Sequence, residues 1–112
     1  MKVKQRDVVP IDFPFSDLTG TKVRPALVIS NNAYNAANLD AVVLAITSNL
    51  STHDYKVAIE DQDLESGNLP TRSVIRVDKP FSALQAKTLK IQAIVTAKKL
   101  EEVKLIVQKL MQ

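Results

Sequence analysis

Four polar residues stand within or at the ends of apolar runs. Arg24 precedes "PALVIS", Thr47 closes "AVVLAIT", and Arg76 and Asp78 lie within "RSVIRVD". With Ser48 beside Thr47, they bring together guanidinium forks, hydroxyls and a carboxylate. Such groups hold anions and handle protons. Taken singly, each has a plainer explanation. Arg76 and Asp78, two apart on a strand, read as an exposed ion pair worth little. Thr47 and Ser48 read as a strand end entering a turn.

Other chemistries are thinly represented. The chain has no cysteine, which removes thiolate nucleophiles, disulfides and most structural zinc, and fits a reducing cytoplasm. Its one histidine, His53, lies in the polar stretch "SNLSTHDYK" and reads as a solvated side chain beside Asp54. A metal centre built on histidine would need more ligands. Glu60, Asp61, Asp63 and Glu65 crowd into "EDQDLE", but without the glycine and spacing of a calcium loop. A solvated acidic loop is expected there. No GxGxxG, Walker A or GxSxG pattern occurs.

The elements that must position these residues are mainly strands. In "DVVPIDF" (7 to 13) Val9, Ile11 and Phe13 alternate with Pro10 and Asp12, and the proline points to a sheet edge or a strand start. "PFSDLTGTK" (14 to 22) reads as a loop. "ALVIS" (26 to 30) and "AVVLAITS" (41 to 48) are continuous apolar runs, as in central strands covered on both faces. Between them "NNAYNAANLD" has room for a short helix capped by Asn31 or Asn32. "KVAIE" alternates with Val57 and Ile59 inward, and "SGNLP" reads as a turn. In "RSVIRVD", Ser73, Ile75 and Val77 share one face while Arg72, Val74, Arg76 and Asp78 share the other. "LKIQAIV" (89 to 95) alternates as a further strand. Thr96 then caps a helix whose apolar stripe is Leu100, Val103, Ile106, Val107 and Leu110.

The expected architecture is one mostly antiparallel β domain over 1–112, of five or six strands, closed by a C-terminal helix. At 112 residues, 46% hydrophobic and 24% charged, the chain supports one modest core. No apolar run is long enough to span a bilayer. "MKVKQRDVV" lacks the apolar centre of a signal peptide. Net charge is +3, but residues 71 to 112 carry nine Lys/Arg against three acids. Such a surface suits a polyanion or an acidic protein partner.

"VVPIDFPFSDLTGTKVRPALVIS", "VVLAITS" and "SVIRVDKP", in this order and at these separations, resemble the MazF/PemK/Kid family of toxin endoribonucleases. The likeness covers about residues 7 to 80, and "IVTAKKLEEV" follows the family's final passage from strand to helix more loosely. The resemblance implies an SH3-like antiparallel β-barrel with a C-terminal helix. It implies a homodimer that cuts single-stranded RNA at short sequences with no metal or other cofactor. It also implies a cognate antitoxin whose acidic segment covers the RNA groove. The family's catalytic arginine and threonine map onto Arg24 and Thr47, and the Arg-x-Asp pair of its Kid-like branch onto Arg76 and Asp78. Lys22, Ser48 and Lys79 beside them are expected to touch RNA. That branch also uses a first-loop histidine, which "PFSDLTGTK" lacks, and Arg6 stands where a glycine often opens the first strand.

The chemistry implied is attack of a 2′-hydroxyl on its own phosphate. Arg24 suits the developing phosphorane because a guanidinium stays charged and binds phosphate through two parallel bonds. Pro25 restricts Arg24 to extended backbone. Thr47 can bond a non-bridging oxygen, and Asp78 is a possible base held by Arg76. The sparse aromatics and missing loop histidine motivate a second reading, a non-catalytic nucleic-acid-binding or regulatory β-barrel module.

Overall fold

The computed structural model describes residues 1–14, 21–51 and 53–112. Its strands are β1 (Asp7–Pro14), β2 (Thr21–Val28), β3 (Asp40–Thr47), β4 (Lys56–Ile59), β5 (Leu64–Gly67), β6 (Ser73–Leu84) and β7 (Ala93–Val95). Helix α1 (Asn32–Ala37) separates β2 from β3, and α2 (Ala97–Leu110) follows β7. The strands form one sheet in the order β4-β6-β3-β2-β1-β7-β5, and every neighbouring pair is antiparallel.

Several expectations hold in detail. The Asn31 side chain accepts from Tyr34 N–H (2.8 Å) and starts α1. Thr96 does the same for α2 through Lys99 N–H (3.1 Å). "ALVIS" and "AVVLAITS" lie in central strands, with Ala26, Leu27, Val28, Val43 and Leu44 all buried. The expected barrel is realised as a curled sheet with buried residues on both faces. On one face Val8, Leu27, Leu44, Ile46, Ile75, Val77 and Val95 gather under α2, which contributes Val103. On the other, Val9, Ile11, Ala26, Val28, Val43 and Ala83 pack with Phe13 and Phe81, whose rings meet edge to face at 4.6 Å. Each fully buried Val or Leu side chain stabilises by about 1.5–3 kcal/mol relative to exposure.

Other expectations need correction. Among the described residues the sheet has seven strands rather than five or six. The addition is β5, "LESG", where a solvated loop and a turn were expected. Mostly exposed polar residues give it no alternation to read, and it exists because it pairs with β7. Gly67 (φ +73) permits the pairing, since a Cβ there would collide with Gln92 O and lie 2.7 Å from Ala93 Cα. β6 runs six residues past "RSVIRVD", through Leu84. The loop read over 14–22 is shorter at both ends, because Pro14 pairs with Thr21 and Phe13 with Lys22. Residues 15–20 of that loop lie outside the described residues. Leu110, placed in the helix's apolar stripe, is 38% exposed.

"LKIQAIV" forms a strand only over Ala93–Val95, and Leu89 is 86% exposed. The reason lies in Pro10. Arg6 O accepts from Val95 N–H and Val8 O from Gln92 N–H, so even-numbered residues of β1 face β7. Pro10 is next in that series and has no N–H to give, so pairing ends at Val8. Pro10 thus sits on an interior strand, at a point where one side of it is open.

Arg6 occupies φ +83, where a glycine is comfortable, at the third position of a turn closed by Asp7 N–H to Lys4 O (3.0 Å). Its side chain donates to Val95 O (3.0 Å) and Glu65 (3.2 Å), which offsets the strain. Truncation to alanine keeps the strain and loses those bonds, whereas glycine loses both. Arg6→Gly should therefore be more stable than Arg6→Ala by about 1 kcal/mol in urea unfolding. Equal stabilities would contradict the strain.

Candidate functional site

Both ladders of β3 break at one level. On the β2 side, pairing ends at Ala26↔Ala45. Ile29 N–H donates to Val42 O, so odd-numbered residues of β2 present their N–H groups to β3. Pro25 falls in that series without an N–H, and the ladder stops there. On the β6 side, Leu44 pairs with Pro80 and Ile46 with Ile75, so residues 76–79 stand against Ala45 alone. A bulge of this kind bends the strand and re-aims its side chains.

The polar residues lie at this break. Continued past Ala26↔Ala45, the register sets Arg24 across from Thr47, on the face they share with those alanines. Thr47 pairs with Val74 of β6, and Arg76 and Asp78 extend that same face. The structure therefore brings Arg24, Thr47, Arg76 and Asp78 to one face across three adjacent strands. Ser48 is exposed just beyond Thr47, Lys79 is exposed in the bulge, and Lys22 is exposed two residues before Arg24.

Arg76 and Asp78 form a two-bond fork. Nε donates to Oδ1 at 2.9 Å and Nη2 to Oδ2 at 2.7 Å, with each side chain 26% exposed. This is a stronger arrangement than the exposed pair expected from spacing. The bonds from Arg76 hold the Asp78 carboxyl below its usual range, and the same bonds raise the Arg76 guanidinium. Both carboxylate oxygens are engaged, so Asp78 is a weak base and a firm anchor. The fork uses the Nε–Nη2 edge of Arg76 and leaves Nη1 outside it.

His53 is the residue that sequence reasoning passed over. Its Nε2 lies 3.7 Å from Asp78 Oδ2, and its Nδ1 accepts from Tyr55 N–H (3.1 Å). The cause is topological: Lys56 pairs with Arg76, so the turn entering β4 carries His53 back to the level of Asp78. The signal was the alternating pair "KVAI" and "SVIR", but nothing in the sequence said that these two strands were neighbours.

Members of the acidic cluster pair separately with basic side chains. Glu60 meets Arg72 (3.1 Å), Asp63 meets Lys99 (3.3 Å) and Glu65 meets Arg6 (3.2 Å). Arg24 also borders a concave surface of about 910 Å³, lined with Pro10, Asp12, Phe81, Lys87 and Lys90. Thr47, Arg76 and Asp78 are not among its described lining residues.

By sequence, no curated protein matches the chain. Solved structures do. MazF in the MazE–MazF complex of Deinococcus radiodurans (Form-III) superposes with a TM-score of 0.80 at 22% identity, covering 99% of this chain and 97% of that one. An endoribonuclease in complex with its cognate antitoxin from a mycobacterial species gives 0.80 at 18% identity, over 97% and 94%. Mycobacterium tuberculosis toxin MazF-mt6 gives 0.76 at 14% identity, over 95% and 96%. At these identities the likeness is one of fold. The model of the PemK-like, MazF-like toxins of type II toxin-antitoxin systems matches residues 4–111, and with nearly the whole chain covered this protein belongs to that family.

Proposed function

We propose that this toxin is a sequence-specific endoribonuclease that cuts single-stranded RNA without a metal. The observation that carries the reading is the shared break in the two ladders of β3, which collects a guanidinium, a hydroxyl and an anchored Arg–Asp fork on one face. Two of the structural neighbours carry the name endoribonuclease, which supports it.

In the proposed reaction the 2′-oxygen attacks the adjacent phosphorus and the bond from phosphorus to the 5′-oxygen breaks. The 2′ proton leaves, the 5′-oxygen gains one, and the products are a cyclic phosphate and a 5′-hydroxyl. Arg24 supplies the charge opposite the phosphorane. Thr47 bonds a non-bridging oxygen, and Arg76 presents its outer edge to a phosphate while Asp78 holds it in place. Lys22, Ser48 and Lys79 extend the contact along the strand. The enzyme reading is favoured over a non-catalytic module because structural neighbours over nearly the whole chain carry the name endoribonuclease.

The active form is proposed to be a homodimer, and exposed Val23, Leu84 and Leu89 around the concave surface supply apolar area for pairing. A cognate antitoxin with an acidic segment is the proposed inhibitor, since several neighbours were solved as complexes with their own antitoxins. It should compete with RNA, and added salt should weaken it. Simultaneous binding of both to one subunit at full affinity would contradict a shared surface.

Substitutions separate the roles. Arg24→Ala should lower kcat/KM on the order of 10²-fold or more, and Arg24→Lys should recover little because an ammonium lacks the fork. Asp78→Asn should cost less than Arg24→Ala and act mainly on KM, as expected of an anchor. Full activity in Arg24→Ala would overturn the assignment. A larger loss in Asp78→Asn, confined to kcat, would restore Asp78 as the base.

A further inference from the structure

His53 is the only histidine in the chain, and it lies beside the oxygen that accepts the shorter bond of the fork. The Tyr55 N–H on Nδ1 places the neutral ring's proton on Nε2, the nitrogen nearer Asp78. The His53 side chain is 42% exposed. Imidazole is the side chain whose charge ordinarily changes between about pH 5 and 8. Asp78, held ionised by Arg76, keeps its charge through that interval. Arg76, Asp78 and His53 together are therefore neutral when the ring is neutral and carry one positive charge when it is protonated.

The surroundings leave this charge directed at Asp78. From β6 the ring meets Asp78 and, through it, Arg76. From its own turn come Asp54 and the Tyr55 ring, 6.2 Å away. From α2, Lys109 lies 3.8 Å from Asp54 and 5.7 Å over the Tyr55 ring, so Asp54 has its own cation. On β4, Lys56 pairs across from Arg76 and donates to Ser51 O (2.8 Å).

We propose that Arg76, Asp78 and His53 form a phosphate subsite of the RNA face, with His53 as its proton-dependent cation. This rests on the RNA-binding reading above. The outer edge of Arg76 grips the phosphate and Asp78 holds both cations in place. Protonated His53 adds the charge that makes the subsite attractive to an anion. RNA affinity is then higher with the ring protonated than with it neutral.

A 2′-O-methyl oligonucleotide keeps the phosphates and resists 2′-hydroxyl attack, so binding to the full chain can be measured without cleavage. His53→Asn retains an acceptor for Tyr55 N–H and loses the imidazole with its contact to Asp78, while His53→Lys carries a permanent charge. At fixed ionic strength, wild type should bind about fivefold more tightly near pH 6 than near pH 8, the effect of a unit charge about 4 Å from a phosphate in water-like surroundings. His53→Asn should lose that difference, and His53→Lys should bind tightly at both pH values. Identical pH dependence in wild type and His53→Asn would overturn the subsite and leave the RNA reading standing. No binding by wild type at either pH would overturn the RNA reading and the subsite with it.

Discussion

A β-strand can pair on two sides only where both neighbours offer N–H groups in register, and on β3 that condition fails just past Ala45 on the β2 side and at Ala45 on the β6 side. Pro25 withholds the donor from one side, and the four residues 76–79 of β6 bulge away on the other. Up to that level the sheet is a packed core of Leu27, Val28, Val43 and Leu44. Beyond it the same strands carry arginine, threonine and aspartate on one face. The break costs ladder hydrogen bonds on both sides of β3. Arg24 thus stands one residue before the proline at which the β2–β3 ladder stops.

The second support is electrostatic and comes from the other end of the chain. Lys99 of α2 is 8% exposed, and a buried ammonium must find partners. It donates to Ala58 O (3.0 Å) and to Glu102 (2.8 Å) and lies 3.3 Å from Asp63. Ala58 is on β4, so this lysine ties the helix to the strand that pairs with Arg76. Lys109, farther along α2, reaches Asp54 and the Tyr55 ring beside His53. The helix closes the core with Leu100 and Val103 and also fixes the strand and turn that complete the site.

Alternation and capping made much of the fold legible in sequence, because they act over a few residues. The α1 and α2 caps, the inward face of β4 and the polar face of β6 could all be read from spacing. Pairing could not. β5 has no apolar alternation and exists through its partner, and "LKIQA" has alternation without a partner because Pro10 denies it one. The same gap governs the site. Arg76 and Asp78 were visible as neighbours on one strand face, and the family resemblance singled out Arg24 and Thr47. His53 belongs with them through the pairing of β4 with β6, a long-range fact that no local pattern encodes.

The central claim is that this face cuts RNA by internal 2′-hydroxyl attack, with the chain's own residues supplying the charge. End-group analysis of fragments from a long unstructured RNA, incubated with the protein in excess chelator, tests it most directly. The account predicts discrete cuts at short recurring sequences, each leaving a 2′,3′-cyclic phosphate and a 5′-hydroxyl, and no cut where the attacking nucleotide is 2′-deoxy. Fragments with 5′-phosphate ends, or cutting abolished by the chelator, would contradict it.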